Sequence, residues 1–154
     1  MKPTIAVTML SLILANSLPL RADVSASVNL PIQEIGTKAL LPLDGAGGFV
    51  APTFKFFDHN NLVGMQSGAP TVNKPLEPAL SSVPAGFSNP PLKDELKSVN
   101  IVATPTEKTV LIYTMIGTCP PCAGIIEKVQ HQLPALGWGS ARILTVNIIV
   151  PPAR

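Results

Sequence analysis

Proline is the residue that most limits how this chain can fold. The sequence contains 17 prolines in 154 residues, roughly twice the average proline share of about 5%. Each proline fixes φ and removes a backbone donor, so helices and central strands must lie between prolines. Seven of them fall within residues 68–105. We therefore predict that residues 68–105 form an irregular, proline-rich linker or an extended wrap around the domain, with one helical turn at 92–97.

The amino terminus has the pattern of a secretory signal. A positive charge at Lys2 is followed by an uncharged, apolar core over residues 5–14 and then by a helix-breaking proline. We predict a signal peptide over residues 1–26 with cleavage after Ala26, and cleavage after Ala22 as the second choice. The alternative is an uncleaved membrane anchor, because the uncharged run is near the lower length limit for a membrane span.

The charge and the cysteine content of the chain limit the classes of partner that it can bind and the compartments that suit it. Charged residues make up 13% of the chain, against a usual share of about 25%, which excludes a highly charged disordered tail and a basic nucleic-acid binder. Cleavage after Ala26 leaves 9 of 11 basic and 8 of 9 acidic residues, a net charge of +1. We expect a secreted or periplasmic protein with no nucleic-acid partner and no stable membrane insertion after signal removal. Its two cysteines allow at most one intramolecular disulfide, in an oxidising compartment.

Residues 27–67 form the first segment after the predicted signal. Alternating and aromatic residues at 53–57 are followed by the turn-forming sequence Asp-His-Asn-Asn at 58–61 and a short apolar run at 62–65. This pattern predicts a β-hairpin.

Residues 106–154 have the most definite pattern of the chain. Residues 109–116 are an apolar, β-branched run that predicts a buried central strand. A Cys-Pro-Pro-Cys sequence at 119–122 follows, and apolar residues then recur at helical spacing over 125–133. A second buried run at 143–150 completes a βαβ unit, with parallel strands and a right-handed crossover.

The position of the cysteine pair favours redox chemistry. We expect Cys119 at or just before the first helical turn, where unpaired N–H groups and the helix dipole stabilise a thiolate. Cys122, three residues on, returns to the same side and can attack a mixed disulfide formed on Cys119. Cys119 is therefore the predicted nucleophile and Cys122 the predicted resolving cysteine.

A strand, a Cys-x-x-Cys at a helix amino terminus, an amphipathic helix and a second strand in this order resemble the thioredoxin-like family. The resemblance covers residues 106–150, and Cys-Pro-Pro-Cys is frequent among the secreted and membrane-tethered members. It implies an α/β fold and a protein disulfide oxidoreductase with a redox-active Cys119–Cys122 pair. No metal or organic cofactor is implied, and the expected partners are protein thiols or a redox partner protein.

The chain departs from the family pattern at three places. Thr118 stands where a tryptophan often precedes the first cysteine, and Tyr113 stands where many members have a buried acid. The chain also ends soon after the second predicted strand, whereas the family continues with a helix and a β-hairpin that begins at a cis-proline facing the cysteines. Residues 50–58 look like that cis-proline segment. The predicted fold is thus a permuted thioredoxin fold with Pro52 beside Cys119, or an incomplete one that needs a partner or an oligomer to complete its sheet.

Two other uses of the cysteine pair stay open. A zinc site needs four ligands, and only His59 and His131 accompany the cysteines. A zinc-deaminase site would also require a His-x-Glu motif, which the sequence lacks. A static disulfide in a non-catalytic extracellular binding module is the other alternative.

The sequence favours thiol–disulfide exchange on protein thiols over these alternatives. In this interpretation Cys119 and Cys122 are catalytic, and Pro52 and Thr118 contact the substrate. The direction of exchange, whether oxidation, reduction or isomerisation, is not set by the residues alone, because it depends on the reduction potential of the pair.

Overall fold

A computed structural model of the chain describes residues 22–34, 41–42, 48–104 and 108–151. These residues confirm the predicted α/β class, since they form a five-stranded mixed sheet with helices packed against it. The strands are β1 (Asp23–Pro31), β2 (Thr53–Asp58), β3 (Asn61–Ser67), β4 (Lys108–Ile116) and β5 (Arg142–Ile149). Two α-helices that bear on the site are α1 (Leu92–Ser98) and α2 (Ile125–Gln132).

The strand order across the sheet is β1-β5-β4-β2-β3. β1, β5 and β4 run parallel, whereas β2 is antiparallel to both β4 and β3. β4 and β5 are the two strands that the sequence predicts over 109–116 and 143–150, each shifted by one residue at its start. α2 connects them, as expected for a βαβ unit.

The sheet separates two apolar clusters, because successive side chains of a strand point to opposite faces. On one face, Leu92 and Leu96 of α1 pack with Leu111 and Tyr113 of β4. On the other face, side chains of α2 pack with alternate residues of β2, β4 and β5, among them Ile125, Val129, Phe54, Phe56, Ile112 and Ile143. Both faces of β4 are therefore covered, which accounts for its continuous apolar sequence.

β1 is a strand that was not expected from the sequence. It pairs with β5 along its whole length, from Asp23 opposite Arg142 to Pro31 opposite Ile149. Its first residues, 23–26, lie within the segment that the sequence predicts to be a signal peptide. Cleavage after Ala26 would remove the pairings of this part of β1, whereas cleavage after Ala22 would keep the strand whole.

We expect the mature protein to begin at or before Asp23. Expression with the native leader, followed by amino-terminal sequencing and intact mass measurement of the exported protein, checks this. An amino terminus at Ser27 would contradict it, because the mature sheet would then lack the first four of the nine residues of its edge strand. A chain that still begins at Met1 would instead contradict the predicted signal cleavage.

The hairpin expected around residues 53–65 is formed by β2 and β3. β2 lies inside the sheet between β3 and β4, and its residues from Thr53 to Phe57 are buried. The two residues of the turn between the strands are His59 and Asn60, and His59 has a φ of 54°.

The proline-rich stretch packs on the sheet along much of its described length, 68–104. Leu76 is buried with the α2 side of the core, and α1 closes the opposite face. The residues between them cover the edge strand β3: the Ser82 hydroxyl accepts a hydrogen bond from the Met65 N–H at 2.8 Å. Backbone atoms of Pro78 and Ala79 pass so near Gly64 that a Cβ there would lie 2.7 Å from the Ala79 nitrogen. The stretch thus shields an edge that would otherwise be open to pairing.

Replacing Gly64 with alanine should destabilise the protein by about 1–3 kcal/mol, because the added methyl group forces apart two backbones that touch. Urea unfolding, followed by the fluorescence of Trp138, the single tryptophan, measures the change. Limited proteolysis should also cut the stretch 70–91 faster in the variant. A free energy of unfolding within about 0.5 kcal/mol of wild type would show that the stretch can move aside freely.

Within the described ranges, no helix has the length and apolar character needed to cross a membrane.

Candidate functional site

The two cysteines form a disulfide at the end of β4. The Cys119–Cys122 pair has a Cα–Cα distance of 5.3 Å, and both residues are half-buried. Gly117 and Thr118 form the turn that leaves the strand, and Gly117 has a φ of 85°, a backbone conformation that suits glycine. The disulfide is therefore held on a short connection and remains partly open to solvent.

The helix begins later than the sequence predicts. Cys119 precedes a single 3-10 turn, Pro120–Cys122, in which the Cys122 N–H donates to the Cys119 carbonyl at 3.0 Å. Gly124 follows with a left-handed φ of 64°, and α2 starts at Ile125. Cys119 therefore lies just before a helical turn, as expected, but this turn is a separate 3-10 turn and not the first turn of α2. The left-handed conformation of Gly124 separates the two, so α2 begins six residues after Cys119.

The segment before β2 lies against the disulfide. The Ala51 carbonyl oxygen is 3.5 Å from Cys119 Sγ, the Ala51–Pro52 peptide is cis, and Pro52 is buried. Three hydrogen bonds fix this segment. The Thr53 hydroxyl donates to the Val50 carbonyl at 2.6 Å and lies 3.1 Å from the Ser67 hydroxyl, and the Gly68 N–H donates to the Pro52 carbonyl at 2.8 Å.

The register of the sheet explains this contact. Thr53 pairs with Tyr113, so the residues before Thr53 come level with the end of β4, where the cysteines follow. Of the four predicted site residues, Cys119, Cys122 and Pro52 therefore lie in one region, although 67 positions separate Pro52 from Cys119. Thr118 is exposed in the turn just before Cys119.

A buried charged cluster behind this site was not predicted. Lys55 and Glu95 are both fully buried, and Lys55 Nζ lies 2.5 Å from Glu95 Oε1. Tyr113 donates its hydroxyl proton to the same carboxylate oxygen at 2.6 Å. Asn89 accepts from Lys55 at 2.7 Å and donates to Glu95 Oε2 at 2.8 Å. We call these four residues, Lys55, Glu95, Tyr113 and Asn89, the buried polar cluster.

The buried polar cluster joins the parts of the chain that build the site. Lys55 lies on β2, three residues after Pro52, and Tyr113 lies on β4, six residues before Cys119. Glu95 and Asn89 come from α1 and the proline-rich stretch. Glu95 lies on the buried face of α1 with Leu92 and Leu96. The i, i+4 spacing of these two leucines was the signal in the sequence that one face of this helix is buried.

Burial shifts the titration of two members of this cluster. Desolvation lowers the pKa of Lys55 below its ordinary value of 10.5, although the charge and hydrogen bond of Glu95 act in the opposite direction. Desolvation also raises the pKa of Tyr113 well above its ordinary value of 10.0, and the negative charge of Glu95 and the hydrogen bond to it add to this effect.

Replacing Tyr113 with phenylalanine should change how stability depends on alkaline pH. Above pH 10.0 the unfolded tyrosine ionises while the folded one keeps its proton. The contribution of Tyr113 is therefore complete below pH 10.0 and is lost as pH rises through its raised folded pKa. Urea unfolding of both proteins between pH 8 and pH 11 should show the stability advantage of wild type shrinking above pH 10. An advantage that stays constant over this range would contradict the assignment.

The histidines lie elsewhere in the fold. His59 is exposed in the hairpin turn, with its ring Nδ1 2.8 Å from Asp58 Oδ1, and His131 is exposed near the end of α2. Among the described residues, no three His, Cys, Asp or Glu side chains come together in a cluster that could hold a metal ion.

The Cys119–Cys122 disulfide thus lies at one end of the sheet, with the Ala51–Pro52 segment on one side and α2 on the other. No protein-family model matches the chain, and neither a search of curated proteins nor one of solved structures found a match.

Proposed function

We propose that the protein carries out thiol–disulfide exchange with protein thiols, and that it does so in a thioredoxin-like arrangement. The observation that carries the proposal is the 3.5 Å contact between the Ala51 carbonyl and Cys119 Sγ. This contact joins a half-buried disulfide to the proline-containing segment just before β2, which is far from it in sequence. A disulfide needed only for stability would gain little here, because a loop closed by a two-residue spacer constrains the unfolded chain weakly.

The order of the elements supports a permuted form of the family arrangement over an incomplete one. In the family, a hairpin that begins at a proline facing the cysteines follows the βαβ unit. In this chain the hairpin β2–β3 precedes that unit, yet it pairs with β4 and brings Pro52 to the cysteines. This arrangement supports the permuted form, since a permuted fold would need no second chain to supply the hairpin.

The exchange proceeds in two displacement steps. A substrate thiolate attacks Cys119 Sγ and forms a new S–S bond, while the Cys119–Cys122 bond breaks and Cys122 leaves as a thiolate. A second thiolate of the substrate then attacks the substrate sulfur of this mixed disulfide, and Cys119 leaves as a thiolate. The substrate loses two electrons and gains a disulfide, and the cysteine pair takes up these electrons. The reverse sequence, with Cys119 attacking and Cys122 resolving, reduces a substrate disulfide.

An exchange assay with and without the cysteine pair tests the proposal. Wild type should accelerate both the dithiothreitol-driven reduction of insulin and the oxidation of a reduced, unfolded protein, whereas the double variant C119S/C122S should do neither. The double variant is also the matched control for non-specific chaperone effects, since only two sulfur atoms change. Equal rates with wild type and double variant would favour the non-catalytic module with a static disulfide.

A further inference from the structure

A groove of about 380 Å³ opens beside the disulfide, and Pro52 is not among its lining residues. The ends of β4 and β5 form one wall, with Thr114 and Asn147, and the start of α2 forms the other, with Ile125 and Ile126. Cys119 and Cys122 also line the groove. A molecule that reacts with either sulfur from this side must therefore place its neighbouring atoms in the groove.

Side chains from three strands hold the polar wall of the groove in a fixed arrangement. The Thr114 hydroxyl donates to Asn147 Oδ1 at 2.7 Å. Asn147 Nδ2 donates to Ser27 Oγ at 2.9 Å and to Asn29 Oδ1 at 3.2 Å. Each carbonyl or hydroxyl oxygen carries a further lone pair, so Thr114 and Asn147 can still accept hydrogen bonds from a bound segment.

Among the residues that the structure describes, none that lines the groove is charged. An ionised side chain placed there would lose water without meeting an opposite charge, which is costly. A neutral segment would instead bury apolar atoms against Ile125 and Ile126 and pair its N–H groups with the oxygens of Thr114 and Asn147. The lining thus favours uncharged neighbours of the reacting sulfur.

We propose that this groove receives the residues flanking the reacting cysteine of an extended protein substrate, and that it selects uncharged over charged flanking residues. This inference rests on the proposed exchange function and names its substrate class. It also implies that a small anionic thiol such as glutathione, which carries free carboxylates, reacts poorly compared with a neutral cysteine peptide.

Rates of mixed-disulfide formation with single-cysteine peptides test the inference. The peptides carry serine and alanine, aspartate, or lysine on both sides of the cysteine. The same peptides are also reacted with a synthetic disulfide peptide of residues 115–126, which has no folded groove. Dividing the rate with the protein by the rate with this peptide removes the effect of flanking charge on the reactivity of the thiol. After this correction we expect the neutral peptide to react roughly tenfold faster than either charged one.

A variant with a charge in the groove gives a second readout. N147D keeps the shape of the side chain and should raise the corrected rate of the lysine-flanked peptide and lower that of the aspartate-flanked one, each severalfold. N61D adds the same charge at the exposed start of β3, at the opposite end of the hairpin from Pro52, and should alter neither rate. Trp138 fluorescence confirms folding, and the wild-type peptide series remains decisive if N147D does not fold.

The outcomes separate this inference from the proposed function. The groove assignment would be wrong if the corrected rates did not depend on flanking charge, or if N147D and N61D had the same effect on these rates. Neither result would contradict the proposed exchange function. If no peptide reacts faster with the folded protein than with the 115–126 peptide, the proposed function fails and the groove assignment fails with it.

Discussion

Replacing Glu95 with leucine should lower the free energy of unfolding by about 3–5 kcal/mol, the usual cost of leaving a buried charge without its partner. Lys55 would then stay fully buried with Asn89 as its remaining hydrogen-bond partner in the buried polar cluster. The free energy of unfolding of a typical domain is about 5–15 kcal/mol, so this loss is a large share of it. Urea unfolding monitored by Trp138 fluorescence measures it.

Two further variants give this prediction its controls. E127L makes the same substitution at an exposed position of α2 and should change stability by no more than about 0.5 kcal/mol. The double variant K55M/E95L removes both charges and should recover the part of the loss that comes from the unpaired charge of Lys55. The Tyr113 hydroxyl still lacks the acceptor that Glu95 provides, so recovery should be incomplete. Additive losses from the two substitutions would mean that Lys55 and Glu95 do not depend on each other.

The buried polar cluster links β2, β4 and α1. Disrupting it should therefore also affect the structure around the disulfide. In E95L that is still folded, the contact between the Ala51–Pro52 segment and Cys119 is expected to loosen. Hydrogen exchange of the Gly68 N–H, which is bonded to the Pro52 carbonyl, would then become faster than in E127L.

The two cysteines should behave differently when replaced one at a time. C122S leaves Cys119 beside Ala51 with no resolving thiol, so it should accumulate mixed disulfides with protein thiols that survive non-reducing electrophoresis. C119S removes the predicted nucleophile and should accumulate few of them. We expect a difference of at least about tenfold, because an attacking thiolate must be both accessible and correctly placed. Mass spectrometry of the trapped species identifies which sulfur carries the partner.

A matched exposure control is needed for this comparison. Both variants should first be titrated with a small alkylating reagent in the folded state, since both cysteines are half-buried. Trapping that merely follows the alkylation rates of the two thiols would indicate simple accessibility. Equal trapping by C119S and C122S would contradict the assigned roles of nucleophile and resolving cysteine.

The parts of the fold that the sequence predicted are those with strong, uninterrupted patterns. β4 and β5 are continuous apolar runs because both of their faces are covered, and the hairpin has aromatic alternation with a turn sequence between its strands. β1 was missed for a physical reason. Its alternation of Val24, Ala26, Val28 and Leu30 with polar residues is typical of a half-exposed edge strand, but it begins inside the segment attributed to the signal.

Part of the site depended on information that local pattern does not contain. The contact of the Ala51 carbonyl with Cys119 follows from the β2–β4 register, and the sequence predicted Pro52 near Cys119 only through the family resemblance. The buried polar cluster depends on side chains from β2, β4, α1 and the proline-rich stretch. No local periodicity links Lys55 to Glu95, which is 40 positions away. The late start of α2 was foreseeable from Gly124, which can adopt the left-handed conformation that interrupts the helix.

The contacts of the proline-rich stretch show that it is a packed part of the domain and not a linker. As a linker it would tolerate substitutions freely, but Ser82, Asn89 and α1 bond or pack against the hairpin and the core. It shields the edge of β3 and supplies half of the buried polar cluster. Its prolines suit this role, because an extended segment that forms few internal hydrogen bonds loses little by lacking N–H donors.

The central claim is that the Cys119–Cys122 disulfide exchanges with thiols while the protein is folded. The most direct test is the rate of its reduction by dithiothreitol under native conditions, measured by acid quenching, alkylation and mass spectrometry, beside the rate in denaturing urea. We expect native reduction at least as fast as that of the unfolded chain, with Trp138 fluorescence unchanged throughout. Reduction that occurs only at the rate of global unfolding would contradict it and would identify the bond as a static disulfide.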